Sequence, residues 1–504
     1  MTAPAISEKA TRREWIGLLV LAFPCFLLSV DFTVLHLAVP KLTADLRPSV
    51  TQLLWIVDIY GFMIASSLIT MGTLGDRIGR RKLLLIGAVT FGLASAAAAF
   101  ATSAAMLIVT RAILGVAGAT LMPSTMALIR NLFHDADQRR IAIAVWINSF
   151  VIGGSVGPII GGIVLEHFWW GSVFLINVPV MLLLLILGPM LLPESRDPEP
   201  GSLDIMSAAM SLVAMLLVIY GVKRFAQDGI TPLPVVTAIA GIAVWIVFVL
   251  RQRHLAHPMI DVDLFKVPAF SASVATQLVA TITLGGTYFL VAQYLQLVLG
   301  LDPLRAGLAL VPATLTGFVG TVVAPMMVKR FNHAHVMTGG MMLTALGMLA
   351  LSRLEPTTDL TLLVCAYMIM MFGINVAITL TTDNVMSVAP PERAGAASGI
   401  SETSAELGAA LGIAILGSVA AAAYRHRMIG AIGSSDVGAI AAQAKTTLAV
   451  AVASARSIGG ITGQTIMTAA RASFTSAVAL VAALSAVMIF LTAAVSAIVL
   501  RRKD

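Results

Sequence analysis

Runs of about 20 apolar residues, separated by short polar breaks, recur along nearly the whole chain, and one such run crosses a bilayer core as a helix. Fourteen are readable, at roughly 15–39, 53–74, 82–101, 104–127, 141–165, 171–192, 203–222, 232–250, 269–299, 303–328, 335–353, 360–382, 396–423 and 473–500. The ninth is long enough to tilt or to continue past the membrane. The first 14 residues are polar, and the apolar run from Trp15 is too long for a signal-peptide core, so it reads as an uncleaved first span. Two polar breaks are longer than the rest. Pro193 to Asp204 carries four acids, is proline-rich and reads as a linker. The segment 424–472 is rich in Ala, Ser and Gly, with a mildly amphipathic stretch near Val437 to Ile458. It predicts an external hairpin or an amphipathic helix lying on the membrane surface.

Composition agrees with this pattern. Of 504 residues 58% are hydrophobic and 11% charged, where a soluble protein carries about 25% charged residues. The chain therefore reads as an all-α polytopic membrane protein embedded in the lipid bilayer. Its formal charge of +7 does not point to nucleic acid, because the basic residues sit in short loops beside spans. With the N-terminus inside, 20 of the 32 Lys/Arg fall on the cytoplasmic side, 11 outside and Arg111 within the membrane. Five of the 11 lie in 424–472, where the positive-inside rule is weak, so both termini are expected in the cytoplasm. Cys25 and Cys365 both fall inside spans and read as packing. No phosphate-binding Gly-Lys-Ser/Thr loop, His/Cys metal cluster or soluble catalytic domain is present. An enzyme or an ATP-driven pump is thus disfavoured, and neither cofactor nor metal is expected.

Five ionisable residues interrupt the apolar runs: Asp31, Asp58, Arg111, Glu402 and Glu406. A charge at bilayer depth costs about 3 kcal/mol on insertion scales, so such residues persist mainly where they pair, line water or carry protons. Four acids against one base suit a cation or a proton. At about 1.5 Å per residue, Asp31 lies roughly 24 Å from the cytoplasmic end of its span. Asp58 and Arg111 enter from outside by roughly 8 and 10 Å, giving one outer layer with Asp31. Glu402 and Glu406 lie roughly 9 and 15 Å from the cytoplasmic end of span thirteen, on one helix face about 6 Å apart. Two carboxylates this close repel in a low dielectric, so one of them readily takes up a proton. An organic cation would compete with that proton.

Three motifs stand out. The connection after span two runs Gly72-Thr73-Leu74-Gly75-Asp76-Arg77-Ile78-Gly79-Arg80-Arg81-Lys82. Span four carries Arg111-Ala112-Ile113-Leu114-Gly115-Val116-Ala117-Gly118-Ala119. Span five carries Gly153-Gly154-Ser155-Val156-Gly157-Pro158-Ile159-Ile160-Gly161-Gly162, whose glycines at every fourth position form a smooth face for close helix approach and whose proline permits a bend. These resemble the second-loop, fourth-span and antiporter signatures of the major facilitator superfamily. The corresponding second-half segment, Val328-Lys329-Arg330-Phe331-Asn332-His333-Ala334-His335, keeps an arginine but lacks the glycines and the acid.

Fourteen spans, with Val30-Asp31-Phe32-Thr33-Val34-Leu35-His36, Leu54-Trp55-Ile56-Val57-Asp58-Ile59-Tyr60 and Ser401-Glu402-Thr403-Ser404-Ala405-Glu406-Leu407-Gly408, resemble the drug:proton antiporter-2 family of methyl-viologen and quaternary-ammonium efflux pumps. The resemblance implies a major facilitator fold of two six-helix bundles plus two extra transmembrane helices. The bundles would cover 1–192 and 269–504, the latter with the external loop 424–472, and 193–268 would hold the linker and inserted spans seven and eight. It also implies a proton-driven exporter of lipophilic cations, probed by dyes such as ethidium, in the bacterial plasma membrane, without a cofactor and monomeric. A dedicated exporter of an amino acid or a lipid on the same fold is the alternative.

Within that frame, proton coupling is expected at Asp31 with Arg111, and Asp58 is either a second proton site or part of an outer entrance. Glu402 and Glu406 are expected to contact the cation. Gly72, Gly75, Asp76, Arg77, Gly79 and Arg80 would form a cytoplasmic gating latch, and Gly153, Gly157, Pro158, Gly161 and Gly162 the antiporter motif. Aromatic faces attract delocalised cations, which nominates Trp55, Tyr60, Trp146, Asn148, Phe150, Tyr288, Gln293, Phe318, Phe372 and Asn375 as cavity candidates, of which about a third are expected to line it. His36 reads as a packed or solvated helix-end residue.

Overall fold

A computed structural model describes residues 10–196, 204–228, 231–255, 258, 260–356, 359–388, 394–432 and 446–501, and among these every regular element is helical. Helices α1 (Arg12–Leu46), α2 (Val50–Ile78), α3 (Arg80–Ala99), α4 (Ala104–Leu132) and α5 (Ala136–His167) lead through a single turn, Ser172–Leu175, to α6 (Asn177–Leu191). Then come α7 (Ile205–Asp228), α8 (Pro232–Gln252), a 3-10 turn (Val262–Lys266) and α9 (Pro268–Gln293), which runs on as a π-turn, Tyr294–Val298. The series closes with α10 (Pro303–Val328), α11 (His333–Leu351), α12 (Leu360–Val388), α13 (Ala394–Ile432), α14 (Leu448–Ile458) and α15 (Gly460–Arg501). Among the described residues thirteen helices are long and apolar enough to cross a membrane, and α5 makes fourteen when its two halves, bent by 40°, count as one span. Pro158 lies within the second half of that helix. It cannot donate to the carbonyl four residues back, which supplies a cause for the bend.

Helix starts are written in short polar side chains. Thr11 with Glu14, and Ser49 with Gln52, form capping boxes on α1 and α2. Ser103, Asp135 and Asp302 accept from the first turns of α4, α5 and α10. Outward faces are apolar: on α8, Val236, Ile239, Ile242, Ile246 and Val247 are all exposed. In lipid that exposure costs nothing, so tight packing of small residues supplies the helix association.

Helices α1 to α6 pack together, as do α9 to α13 with α15, and the two groups meet along two seams, α2 against α13 and α5 against α10. The hairpin α7–α8 docks through α7 on both α2 and α13, closing over the first seam. Glycines set these distances. A β-carbon on Gly153 would lie 2.3 Å from the Phe26 carbonyl oxygen, and one on Gly157 2.1 Å from Thr33 Oγ1, so α5 lies almost backbone to backbone on α1. Gly161 meets Val34 on the same helix, while Gly162 faces Leu304 of α10. Gly153→Val is therefore expected to push α5 off α1. It should cost about 1–3 kcal/mol, read as a lower thermal transition of the purified protein.

Three boundaries differ from the sequence expectation. The connection after span two is almost entirely helix: α2 runs to Ile78 and α3 starts at Arg80, leaving Gly79 alone between them at φ 108°. An Asp76–Arg80 pair four residues apart and a glycine that accepts positive φ make so short a turn possible. The expected loop 424–472 is also mostly helical, since α13 reaches Ile432 and α15 begins at Gly460. Within it α14 covers Leu448–Ile458 and turns Leu448, Ala449, Ala451, Val452 and Ala455 inward, against α15, α1 and the π-turn. Residues 437–445 of the expected amphipathic stretch lie outside the described residues. Lastly, α7 continues past residue 222 to Asp228, which brings Lys223 into the helical body.

Candidate functional site

Asp31 and Arg111 meet at the centre of the first helix group. Arg111 Nη1 donates to Asp31 Oδ2 at 2.6 Å, and both side chains are buried. The second carboxylate oxygen accepts from Asn177 Nδ2 at 3.0 Å, which also donates to Ser95 Oγ. Arg111 Nε donates to the Ile56 carbonyl at 3.3 Å, and its guanidinium lies over the Tyr60 ring, 4.4 Å from the centroid. Five helices (α1, α2, α3, α4 and α6) thus converge on one buried ion pair and its amide partner. Burying two charges is compensated only when such geometry satisfies the remaining donors and acceptors.

Asp58 has a partner that the apolar pattern concealed. Lys223 Nζ of α7 lies 2.9 Å from Asp58 Oδ1, both side chains fully buried, and the same ammonium sits 3.7 Å above the Trp55 ring. Asp58 Oδ2 has no hydrogen-bond partner among the described residues. The interior therefore holds a second base, and both outer acids are neutralised by side chains of the chain itself. Lys223 is missed in the sequence because Lys223-Arg224 ends an apolar run and reads as a loop outside the membrane. Its signal is register: Lys223 follows Met215 and Ile219 at steps of four, and those two are buried. Asn177 is likewise missed, as a lone amide at the head of an apolar run. Lys223→Met leaves Asp58 buried without its counter-charge and is expected to cost about 3–5 kcal/mol. Asp58→Asn/Lys223→Met should recover most of it. A double variant as unstable as the single one in thermal unfolding would sink the pairing.

Glu402 and Glu406 lie one turn apart on the continuous helix α13, both half-buried. Among the described residues no Lys or Arg comes within ion-pair distance of Glu406. Glu406 stands on the α2/α13 seam: a β-carbon on Gly61 would lie 3.1 Å from Ala410 Cβ and 3.9 Å from the Glu406 carbonyl oxygen. Tyr60, the preceding residue, carries the ring that lies under the Arg111 guanidinium. Glu402 lines a cavity of about 290 Å³ with Gly72, Gly75, Asp76, Arg80 and Arg130. That cavity joins the glutamate helix to the turn between α2 and α3. In that turn Arg80 Nε donates to Asp76 Oδ1 at 2.8 Å, Arg77 is exposed, and Glu194 accepts from the Arg81 backbone N–H at 3.1 Å.

The aromatic and amide candidates are divided among several places. Trp55 is engaged by Lys223 and Tyr60 lies under Arg111, so both serve the chain's own cations. Trp146 donates to Thr125 Oγ1 at 3.0 Å and meets Phe150 edge to face. Tyr288 packs edge to face on His36, whose ring is fully buried between α1 and α9, with Nδ1 on the Phe32 carbonyl. Gln293 is buried and donates to the Phe289 carbonyl at 3.4 Å, and Asn375 donates to the Met371 carbonyl against Gly317. Asn148 and Phe318 are exposed. Phe372 lines a separate apolar crevice between α10, α11 and α12.

Known proteins place this arrangement. The model of the Major Facilitator Superfamily matches residues 21–413. The multidrug efflux pump LfrA of Mycolicibacterium smegmatis is 42% identical over 98% of both chains. The methyl viologen resistance protein SmvA of Salmonella typhimurium is 37% identical over 92% of this chain and 93% of its own. Among solved structures, a bacterial homolog of the human lysosomal transporter Spinster, inward-facing and unoccupied, superposes with a TM-score of 0.68 at 16% identity, covering 96% of this chain and 98% of that one. That likeness shows the fold, and the sequence matches show descent. The chain is a multi-pass membrane protein that belongs to the major facilitator superfamily.

Proposed function

We propose that the protein is a proton-coupled multidrug exporter of lipophilic cations, working by alternating access in a bacterial plasma membrane with both termini in the cytoplasm. The moving bodies are the bundles 1–192 and 269–504, which part along the α2/α13 and α5/α10 seams, with α7–α8 riding on the first. The observation that carries this reading is Glu406, an acid on an inter-bundle seam with no Lys or Arg within ion-pair reach among the described residues. Such a carboxyl in low dielectric stays neutral by holding a proton, or ionises beside a cation. Proton and drug then exclude one another. Asp31, already paired with Arg111, carries the coupling proton, and Tyr60, under the Arg111 guanidinium, precedes Gly61 on the seam that holds Glu406. Protonating Asp31 releases Arg111, and the change passes through the Tyr60 ring to the seam. Asp58 is assigned to holding Lys223 and the inserted hairpin.

Purified protein in liposomes tests this. An imposed pH gradient is expected to drive ethidium or a quaternary ammonium against its own gradient, with proton movement in the opposite sense. Cation flux that ignores the pH gradient would reject it.

A further inference from the structure

The segment Val328 to His335, which lacks the glycines and acid of a latch, borders the apolar crevice mentioned above. That crevice, of about 370 Å³, lies between the end of α10, the start of α11 and the second half of α12, and Met327, Phe331, Gly339, Leu343, Phe372 and Val376 line it. Its volume falls in the roughly 300–1,000 Å³ range of small-ligand sites. Its lining residues Phe331 and Leu343 are exposed, as is neighbouring Met326. A β-carbon on Gly339 would meet nothing within 4 Å, so this glycine keeps the crevice empty, whereas neighbouring Gly340 is pressed against the Gly373 carbonyl. Lys329 and Arg330, between the lining residues Met327 and Phe331 in sequence, are exposed and make no ion pair among the described residues. Asp383, the acid at this end of α12, faces His333 at 3.9 Å.

We propose that this crevice is a binding site for an anionic phospholipid, one acyl chain entering between α10, α11 and α12 and the phosphate resting on Lys329 and Arg330. Acyl-chain chemistry follows from the lining, which is apolar apart from His335. Anionic headgroup chemistry follows from two adjacent cations one residue from the lining Phe331, at a helix end where the bilayer interface falls. Basic pockets between transmembrane helices recognise anionic headgroups in this way. The second-half counterpart of the gating turn thus anchors lipid instead of latching. The proposal needs a membrane-embedded chain, and it stands or falls separately from drug export.

Native mass spectrometry of the full-length protein, titrated with dioleoyl phosphatidylglycerol and with dioleoyl phosphatidylcholine, tests it. Wild type should retain phosphatidylglycerol preferentially. Lys329→Gln and Arg330→Gln should each weaken that lipid by about fivefold and leave phosphatidylcholine unchanged. Gly339→Leu fills open space, so its thermal transition should match wild type while both lipids are lost from the site. Equal retention of the two lipids by wild type, or undiminished phosphatidylglycerol binding by Gly339→Leu, overturns the proposal. So does a Gly339→Leu variant that keeps its lipid and loses tetraphenylphosphonium binding, which would make the crevice a drug site.

Discussion

Glu406→Gln is expected to reduce the initial rate of ethidium efflux from energised vesicles by on the order of 100-fold, the scale of losing one partner of a desolvated charge pair. Gln keeps the shape and volume of Glu and one carbonyl acceptor, and removes the negative charge and its titration. Folding should be unaffected, because among the described residues no Lys or Arg lies within ion-pair distance of Glu406. Glu402→Gln should lose less, because that carboxylate borders a cavity reaching the α2/α3 turn and water can share its charge. A neutral substrate should be less affected by either change. Efflux by Glu406→Gln at the wild-type rate would leave Glu406 no role in cation recognition.

Asp31→Asn is expected to abolish proton-driven transport and to lower stability by about 3–5 kcal/mol, because Arg111 then remains buried with its counter-ion gone. The Tyr60 ring and the Ile56 carbonyl still face the guanidinium, but neither carries a charge. Adding Arg111→Met removes the stranded charge and should restore much of the thermal transition. Transport should stay absent in that double variant. This combination separates two roles. A pair that only holds α1 to α4 would regain transport along with stability, whereas a proton-carrying pair regains stability alone.

The fold was readable to a large degree because lipid imposes strict rules: spans of fixed length, basic cytoplasmic loops and small residues where helices touch. All fourteen apolar runs are helices, and the glycine face of α5 lies on α1. Depth counting brought Asp31, Arg111 and Asp58 to one level, and two of the three are in contact. What the sequence concealed is lateral. Counting along a helix cannot tell which face of α7 meets α2, so Lys223 passed for a loop residue and Asp58 looked available for protons. The same gap scattered the aromatic candidates: Trp55 and Tyr60 suit a cation chemically, but the cations they face are Lys223 and Arg111. Depth alone also set the glutamates apart from the outer layer, whereas helix packing puts Glu406 beside Gly61, the residue after Tyr60.

Exchange of a proton for a cation at Glu406 is the central claim, and proton release on binding measures it without any transport step. Tetraphenylphosphonium added to purified protein in weakly buffered detergent should release protons from wild type and from Asp58→Asn/Lys223→Met. Glu406→Gln should release few or none. Release of the same size from Glu406→Gln, or cation binding by wild type with no proton released, would contradict the account.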